Sequence, residues 1–326
     1  MNNMRAAIIG TWHVHTEEYA RTFAEQEGCQ LCAVWDPDLQ KAVTFAEKFG
    51  VTTYSDLDEL YRKEQFEAVI VCSATSGHVP LIVRAAEEGK HIFTEKVLAP
   101  TVEGAEKIRD AVIRNGVRFV ISYPHKCIPG LIFAKQMIDE GKLGQVTYAR
   151  MRNTHNGSVA GWLPAHFYDK DECGGGAMID LGAHPMYILL WFLGEPVSVS
   201  SAFTSVTGKP VEDNAVSVLT YENGAIGVSE TGFVSRFGNY LVEVCGTEGA
   251  VRVTDSETIW TGVETQGQWV PASLPEASDL PIKQWIDWVT KDIPAPEFDI
   301  EEAVRLTKLM EAAYKASETG RAANLS

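Results

Sequence analysis

The chain has 326 residues, 45% hydrophobic and 22% charged, which suits two globular domains and excludes a disordered, fibrous or disulfide-scaffold protein. Its 28 Lys and Arg stand against 44 Asp and Glu, a formal charge of −16 that opposes nucleic acid and anionic membranes as partners. Cys29, Cys32, Cys72, Cys127, Cys173 and Cys245 are too sparse for a secreted scaffold, the opening MNNMRAAIIG lacks an apolar signal core, and the longest apolar run, Met186 to Leu193, is too short to span a bilayer, so a cytoplasmic protein with reduced thiols is expected.

From Arg5 to Ser122, short apolar runs alternate with helical patterns. Strands are expected at Ala6–Ile9, Leu31–Trp35, near Thr53, and at Ala68–Cys72, His91–Thr94 and Val117–Ile121. Helices are expected at Thr16–Glu27, Asp38–Phe49, Asp56–Glu64, Pro80–Glu88 and Val102–Asn115. Strands apolar on both faces belong in a parallel sheet covered by helices, so residues 1–122 are expected to form a doubly wound α/β domain. Ligands of such sheets lie beyond the carboxyl ends of the strands, which singles out the loops Gly10–His15, Ser73–His78 and Glu95–Ala99.

After Ser122 the rhythm changes. A helix over Ile128–Glu140 and a strand over Gln145–Arg152 lead into an irregular loop, Asn153 to Asp171, and then a helix near Ala177–Phe192. Strands follow at Val197–Thr207, Ala215–Tyr221, Ile226–Phe233, Tyr240–Cys245 and Ala250–Val253, with Asn223-Gly224 as a hairpin turn between two of them. Residues 123–326 are thus expected to be an α+β domain with a mostly antiparallel, open-faced sheet, its last helix, 300–320, packing across a domain face.

The stretch AAIIGTWHVHT begins as a dinucleotide turn does, with a strand running into a glycine. Gly10 meets the first need of such a turn, but Trp12 and His15 occupy the other two glycine places. Asp36 ends the second strand in AVWDPD, where an acidic side chain accepts hydrogen bonds from a ribose diol and repels a 2′-phosphate, favouring NAD over NADP. The plain alternative is an aspartate capping the helix begun by Pro37. His13, His15 and His78 raise a zinc site as a minor alternative, though histidines beside a phosphate site serve equally as hydrogen-bond donors to it, so no metal is expected. A lysine leaving the fifth strand, Lys96 in FTEKV, is suited to polarise a hydroxyl or sit beside a nicotinamide, against the alternative of a solvated surface lysine.

The densest signal is CGGGAMIDLGAHPMY, Cys173 to Tyr187. Its glycines allow close approach of a ligand, and on a helix Asp180 and His184, four apart, share a face, so that a carboxylate orients an imidazole as a general base requires. The alternative is a helix-surface ion pair. In the irregular loop, Trp162, His166 and Tyr168 are candidate sugar contacts, against a role as packing anchors.

These segments together resemble the Gfo/Idh/MocA family, relatives of glucose–fructose oxidoreductase and inositol dehydrogenase. The resemblance runs through the opening turn, AVWDPD, SATSGHVPLIVRAAEEGKHIFTEKVLAPT, IDEGKLGQV, GGGAMIDLGAHPMYILLWFLGEP and LVEVCGTEGAVRV. It implies a Rossmann domain followed by an open-faced sheet domain that forms substrate site and oligomer interface, in a homo-oligomer, dimer or tetramer. It places the nucleotide against Gly10, Thr11, Trp12, His13, Val14, Asp36, Ser73, Ala74, Thr75, His78, Glu95 and Lys96. It implies an NAD-dependent dehydrogenase of a sugar, cyclitol or related polyol: His184 takes the hydroxyl proton as general base, Lys96 polarises the oxygen, and Asp180 orients substrate or base. Val97 departs from the family's usual proline after the lysine, where a cis bond is common, and Pro124-His125-Lys126 stands where many relatives carry an asparagine–arginine substrate contact, which makes His125 a further substrate candidate. Two other readings stay open: a redox-neutral lyase or glycosidase that retains its NAD, and a binding protein that has lost catalysis.

Overall fold

The computed structural model describes residues 4–325. The chain divides into two compact units, one running up to Ser122 and taking in Asp279–Thr307, the other comprising Tyr123–Ser278 and the chain from Lys308 on.

In the first unit, strands β1 (Met4–Ile9), β2 (Cys29–Trp35), β3 (Thr52–Tyr54), β4 (Ala68–Val71), β5 (His91–Thr94) and β6 (Phe119–Ile121) form a parallel sheet in the order β3-β2-β1-β4-β5-β6. Helices α1 (Thr16–Ala24), α2 (Leu39–Phe49), α3 (Leu57–Lys63), α4 (His78–Glu87) and α5 (Val102–Asn115) are the crossovers. Ala68–Val71 is buried along its whole length, as a strand covered on both faces must be. The order reverses direction at β1, flanked by β2 and β4, so the loops leaving β1 and β4 lie side by side at the switch point.

The second unit holds a nine-stranded sheet. Its strands are β7 (Val146–Thr154), β8 (Ser198–Thr204), β9 (Asn214–Thr220), β10 (Ile226–Gly232), β11 (Tyr240–Gly246), β12 (Gly249–Thr254), β13 (Thr258–Gly262), β14 (Val270–Pro271) and β15 (Ala323–Asn324). They run in the order β14-β13-β12-β11-β7-β10-β9-β8-β15, antiparallel except for the pair β7 and β10. One-sided burial is plain in β9, where Ala215, Ser217 and Leu219 are buried and Val216 and Val218 are exposed. Helices α6 (Pro129–Asp139), α7 (Gly157–Ala160), α8 (Lys170–Cys173) and α9 (Ala183–Leu193) accompany this sheet. Of these, α9 is apolar nearly all round and packs on β7 and β10, burying all its residues but Trp191 and Leu193, which are of intermediate exposure.

After the second sheet the chain returns to the first unit through α10 (Pro281–Lys291), which corrects the expectation of an unbroken 123–326 domain. The physical reason is the apolar face of α10: Ile282, Trp285 and Ile286, at helical spacing, are buried, and Trp285 packs against Phe23 and Phe93 with ring centroids 6.1 and 5.8 Å away. Arg118 donates to the Trp288 carbonyl and, at 2.7 Å, to the Asp292 carboxylate, tying the end of α10 to β6. The last helix, α11 (Ile300–Thr319), belongs to the first unit through Thr307 and to the second from Lys308. No helix among the described residues is long and apolar enough to cross a membrane.

Candidate active site

At the end of β1 the first glycine of the turn is obligatory. Gly10 has φ +84°, and a Cβ there would lie 2.6 Å from the Ser73 Cα, so the loops leaving β1 and β4 touch backbone to backbone. Asp36, buried at the end of β2, accepts from the Thr11 N–H at 2.6 Å and the Thr11 hydroxyl at 2.8 Å on one oxygen, and from the Asp38 N–H at 2.8 Å on the other. It is Asp38 that caps α2, accepting from the Gln40 N–H at 3.0 Å. A carboxylate offers about four lone-pair sites, so Asp36 keeps capacity for one hydroxyl of a diol beyond these three bonds.

The amides after Gly10 are more occupied than the sequence suggests. Those of Trp12 and His13 both donate to the Cys72 carbonyl at 3.1 Å, that of His15 goes to the His13 Nδ1 at 3.3 Å, and that of Thr16 to the His13 carbonyl at 3.1 Å. Val14, exposed at the mouth of α1, carries the N–H of this turn that has no acceptor among the described residues. The non-glycine third place is accommodated because the His15 ring points outward, 3.3 Å from the Glu18 carboxylate. Trp12 forms a wall and leaves open a pocket of about 400 Å³, which Thr11, His13 and Val14 share with Asp38, Gln40, Lys41, Thr44 and Phe45. A pocket beside a buried strand-end carboxylate and a helix mouth fits the adenosine half of a dinucleotide.

Beyond β4, Ser73 and Thr75 are buried, Ala74 leads into a single 3-10 turn over Thr75–Gly77, and the His78 ring bridges two loops, Nδ1 to the Val97 carbonyl at 3.0 Å and Nε2 to the Ser73 carbonyl at 3.2 Å. A neutral imidazole donates through one nitrogen only, so one of these two contacts is the hydrogen bond, and among the described residues no three His, Cys, Asp or Glu side chains are grouped to hold a metal ion. Beyond β5, Glu95 and Lys96 are buried, so Lys96 is not the solvated surface lysine of the alternative reading. Burial acts to raise the Glu95 carboxyl, but the charges of His13 and Lys96 prevail and hold it below the usual carboxylate range. Glu95 accepts from the Tyr19 hydroxyl and, at 2.9 Å, from the Lys96 N–H, and Tyr19 also shares a 2.8 Å hydrogen bond with Ser122. The Lys96–Val97 peptide bond is cis despite the absence of proline.

In the second unit the structure corrects the helix around Asp180. The segment from Ala177 to Gly182 is a chain of turns and α9 starts at Ala183, so Asp180 lies outside the helix that carries His184 and the shared-face argument fails. The glycines are the cause: a Cβ on Gly175 would fall 1.9 Å from the Tyr314 hydroxyl, and one on Gly176 2.1 Å from the Glu212 carbonyl. Those glycines therefore admit the protein's own chain. Glu212 organises the turn by accepting from the Gly176 and Met178 N–H groups at 2.9 and 3.0 Å and from the Tyr314 hydroxyl at 2.6 Å.

His184 is buried in a cluster of rings. Its Nδ1 is 2.8 Å from the Tyr187 hydroxyl, and its ring is stacked on His125 with centroids 4.2 Å apart and planes 19° apart. The Tyr187 oxygen also accepts from the His125 N–H at 3.1 Å, and Tyr240 meets His125 edge-on at 5.7 Å. The Asp180 carboxylate acts instead on His155, where it opposes burial; burial prevails and keeps the His155 pKa below the usual histidine value. Trp162 is half exposed, 4.6 Å from the His155 ring, and donates weakly to Asn156 at 3.4 Å. Tyr168 shares a hydrogen bond with Ser158 at 2.9 Å beneath Lys209, while the His166 carbonyl accepts from the Cys173 thiol at 3.2 Å. The sequence reading passed over Tyr187, Tyr240 and His155; only Tyr187 carried a signal, three residues beyond His184 on a helix.

An oxidoreductase built on an NAD-binding Rossmann unit and a second, sheet-based unit is the class these features define. Residues 4–123 match the oxidoreductase family with NAD-binding Rossmann fold, residues 132–252 match the GFO/IDH/MocA C-terminal domain, and the chain belongs to the GFO/IDH/MocA family. It is 28% identical to the scyllo-inositol 2-dehydrogenase (NAD(+)) of Bacillus subtilis over 77% of this chain and 73% of that one. It is 25% identical to the D-glucoside 3-dehydrogenase of Escherichia coli over 97% of this chain and 96% of that one. Among solved structures it shares its fold with an oxidoreductase from Agrobacterium radiobacter in complex with NAD+, L-tartaric acid and magnesium, at a TM-score of 0.85 and 19% identity over 99% of this chain and 98% of that one.

Proposed function

We propose that the protein oxidises a secondary hydroxyl of a cyclitol, glycoside or related polyol, using NAD. The observation that carries this reading is Asp36, buried and fastened to Thr11 beside the open pocket of the turn, in a chain whose relatives are named as dehydrogenases of inositol and glucosides. Bound NAD supplies the hydride acceptor. The chain's part is to hold the ribose diol through Asp36, to place the Val14 N–H toward the pyrophosphate, to polarise the reacting oxygen with Lys96 and to take its proton on His184. Asp180 and His155, electrostatically coupled, with His125, Trp162, His166 and Tyr168 as further contacts, are proposed to read the remaining hydroxyls.

The exposed apolar residues Val216, Val218 and Ile226 on the outer sheet face support a homo-oligomer. Sedimentation of the wild type should therefore give a dimer or tetramer, and a monomer at micromolar concentration contradicts that part. The catalytic reading is tested by following NADH formation with a panel of inositols, methyl glucosides and anhydro sugars. Net NADH from at least one class is expected, with NADP a poorer acceptor. Tight NAD binding without net NADH from any of them contradicts a dehydrogenase and favours redox-neutral use of the nucleotide.

A further inference from the structure

We propose that Tyr187 is a positioning residue that fixes the tautomer of His184, holding the neutral imidazole with its proton on Nε2. His184 lies in the first turn of α9 and Tyr187 three residues on, so the two side chains share one face of the helix. The phenol oxygen stands between two nitrogens: the His184 Nδ1 at 2.8 Å and the His125 backbone N at 3.1 Å. A backbone amide can only donate, so His125 occupies a lone pair of that oxygen and offers nothing to the phenol's own hydrogen.

Tyr187 is 1% exposed, and burial holds its pKa well above the ordinary tyrosine value, so the hydrogen stays on the oxygen. Of its two partners, only the His184 Nδ1 can accept that hydrogen. An O–H···Nδ1 bond requires a bare Nδ1, and the neutral ring then carries its proton on Nε2. The opposite tautomer leaves a buried phenol O–H without an acceptor, which disfavours it by about tenfold or more. Stacking of the His125 ring on His184 at 4.2 Å fixes the plane in which this bond is made.

The inference rests on the proposed role of His184 and refines it. In the resting neutral state His184 offers the substrate oxygen an N–H donor. Nε2 takes up the hydroxyl proton only from the minor tautomer, after the Tyr187 hydroxyl swings away and its oxygen accepts from Nδ1–H instead. Tyr187 thereby sets how much of the base-competent ring is present.

The test is 15N NMR of the full chain labelled at histidine, with the His184 resonances identified by their loss in His184→Gln, at a pH above the ring's titration. The wild type is expected to show a protonated Nε2 and a bare Nδ1, and Tyr187→Phe to raise the share of the Nδ1-protonated form about tenfold. A wild-type ring protonated on Nδ1, or a tautomer ratio unchanged in a folded Tyr187→Phe, overturns the proposal; if that variant does not fold, the wild-type spectrum alone decides. Full turnover in His184→Ala would instead overturn the catalytic reading and leave the tautomer assignment standing.

Discussion

Asp36 ties the cofactor turn to β2 through the N–H and hydroxyl of Thr11 and accepts a third bond from the Asp38 N–H. Replacing it by Asn removes the charge from all three bonds and from any diol contact. With a hydrogen bond to a charged group worth about 1.5–3 kcal/mol, Asp36→Asn is expected to weaken NAD binding at least tenfold by calorimetry, with a lower Tm. At Gly10 the constraint is steric, since a Cβ meets the Ser73 backbone and φ is positive. Gly10→Ala should lower the stability of the first unit by ~2 kcal/mol or more, read by denaturant unfolding, and an unchanged midpoint would contradict the close approach of the two loops. Both residues were legible in the sequence, because strand-end spacing fixes them without knowledge of the tertiary fold. Tyr187 was not, since its partners are a backbone amide 62 residues away and a ring whose orientation depends on where α9 begins.

Elements show the same division. The alternation of apolar runs and helices in the first 122 residues was readable because each period is local. The start of α9 was not, because the turns before it are imposed by Glu212 and Tyr314, far along the chain. Removing that constraint in Glu212→Ala leaves two backbone amides and a tyrosine hydroxyl without their acceptor, and should cost the second unit ~2–4 kcal/mol in chemical denaturation. Helix α10 was missed although its sequence, PIKQWIDWVTK, carries a proline at the first position and Ile282, Trp285 and Ile286 at helical spacing. Trp285→Ala, which empties a fully buried site against Phe23 and Phe93, should destabilise the first unit by about 3–5 kcal/mol.

Across the whole molecule, His78, His91 and His155 are each held below the usual histidine range, chiefly by burial. The unfolded chain binds protons at these sites once the pH falls below about 6.5, while the folded chain resists them, so stability is full above that value and declines toward acid. Glu95, depressed in the folded state, adds a second loss below about pH 4.5. Tm measured against pH should be flat above about 7 and fall steadily below 6.5; a Tm that rises between pH 6.5 and 5 contradicts the burial of these rings as uncharged groups. The account as a whole stands on Lys96 and His184 acting on a polyol hydroxyl in an NAD-dependent oxidation. Its most direct test is NADH formation by wild type, Lys96→Ala and His184→Ala with one substrate, alongside NAD titration of each. Turnover should fall by at least a hundredfold in both variants while His184→Ala keeps wild-type NAD affinity, as loss of a general acid–base group typically costs about 10²–10⁴. Wild-type turnover in both variants would contradict the account.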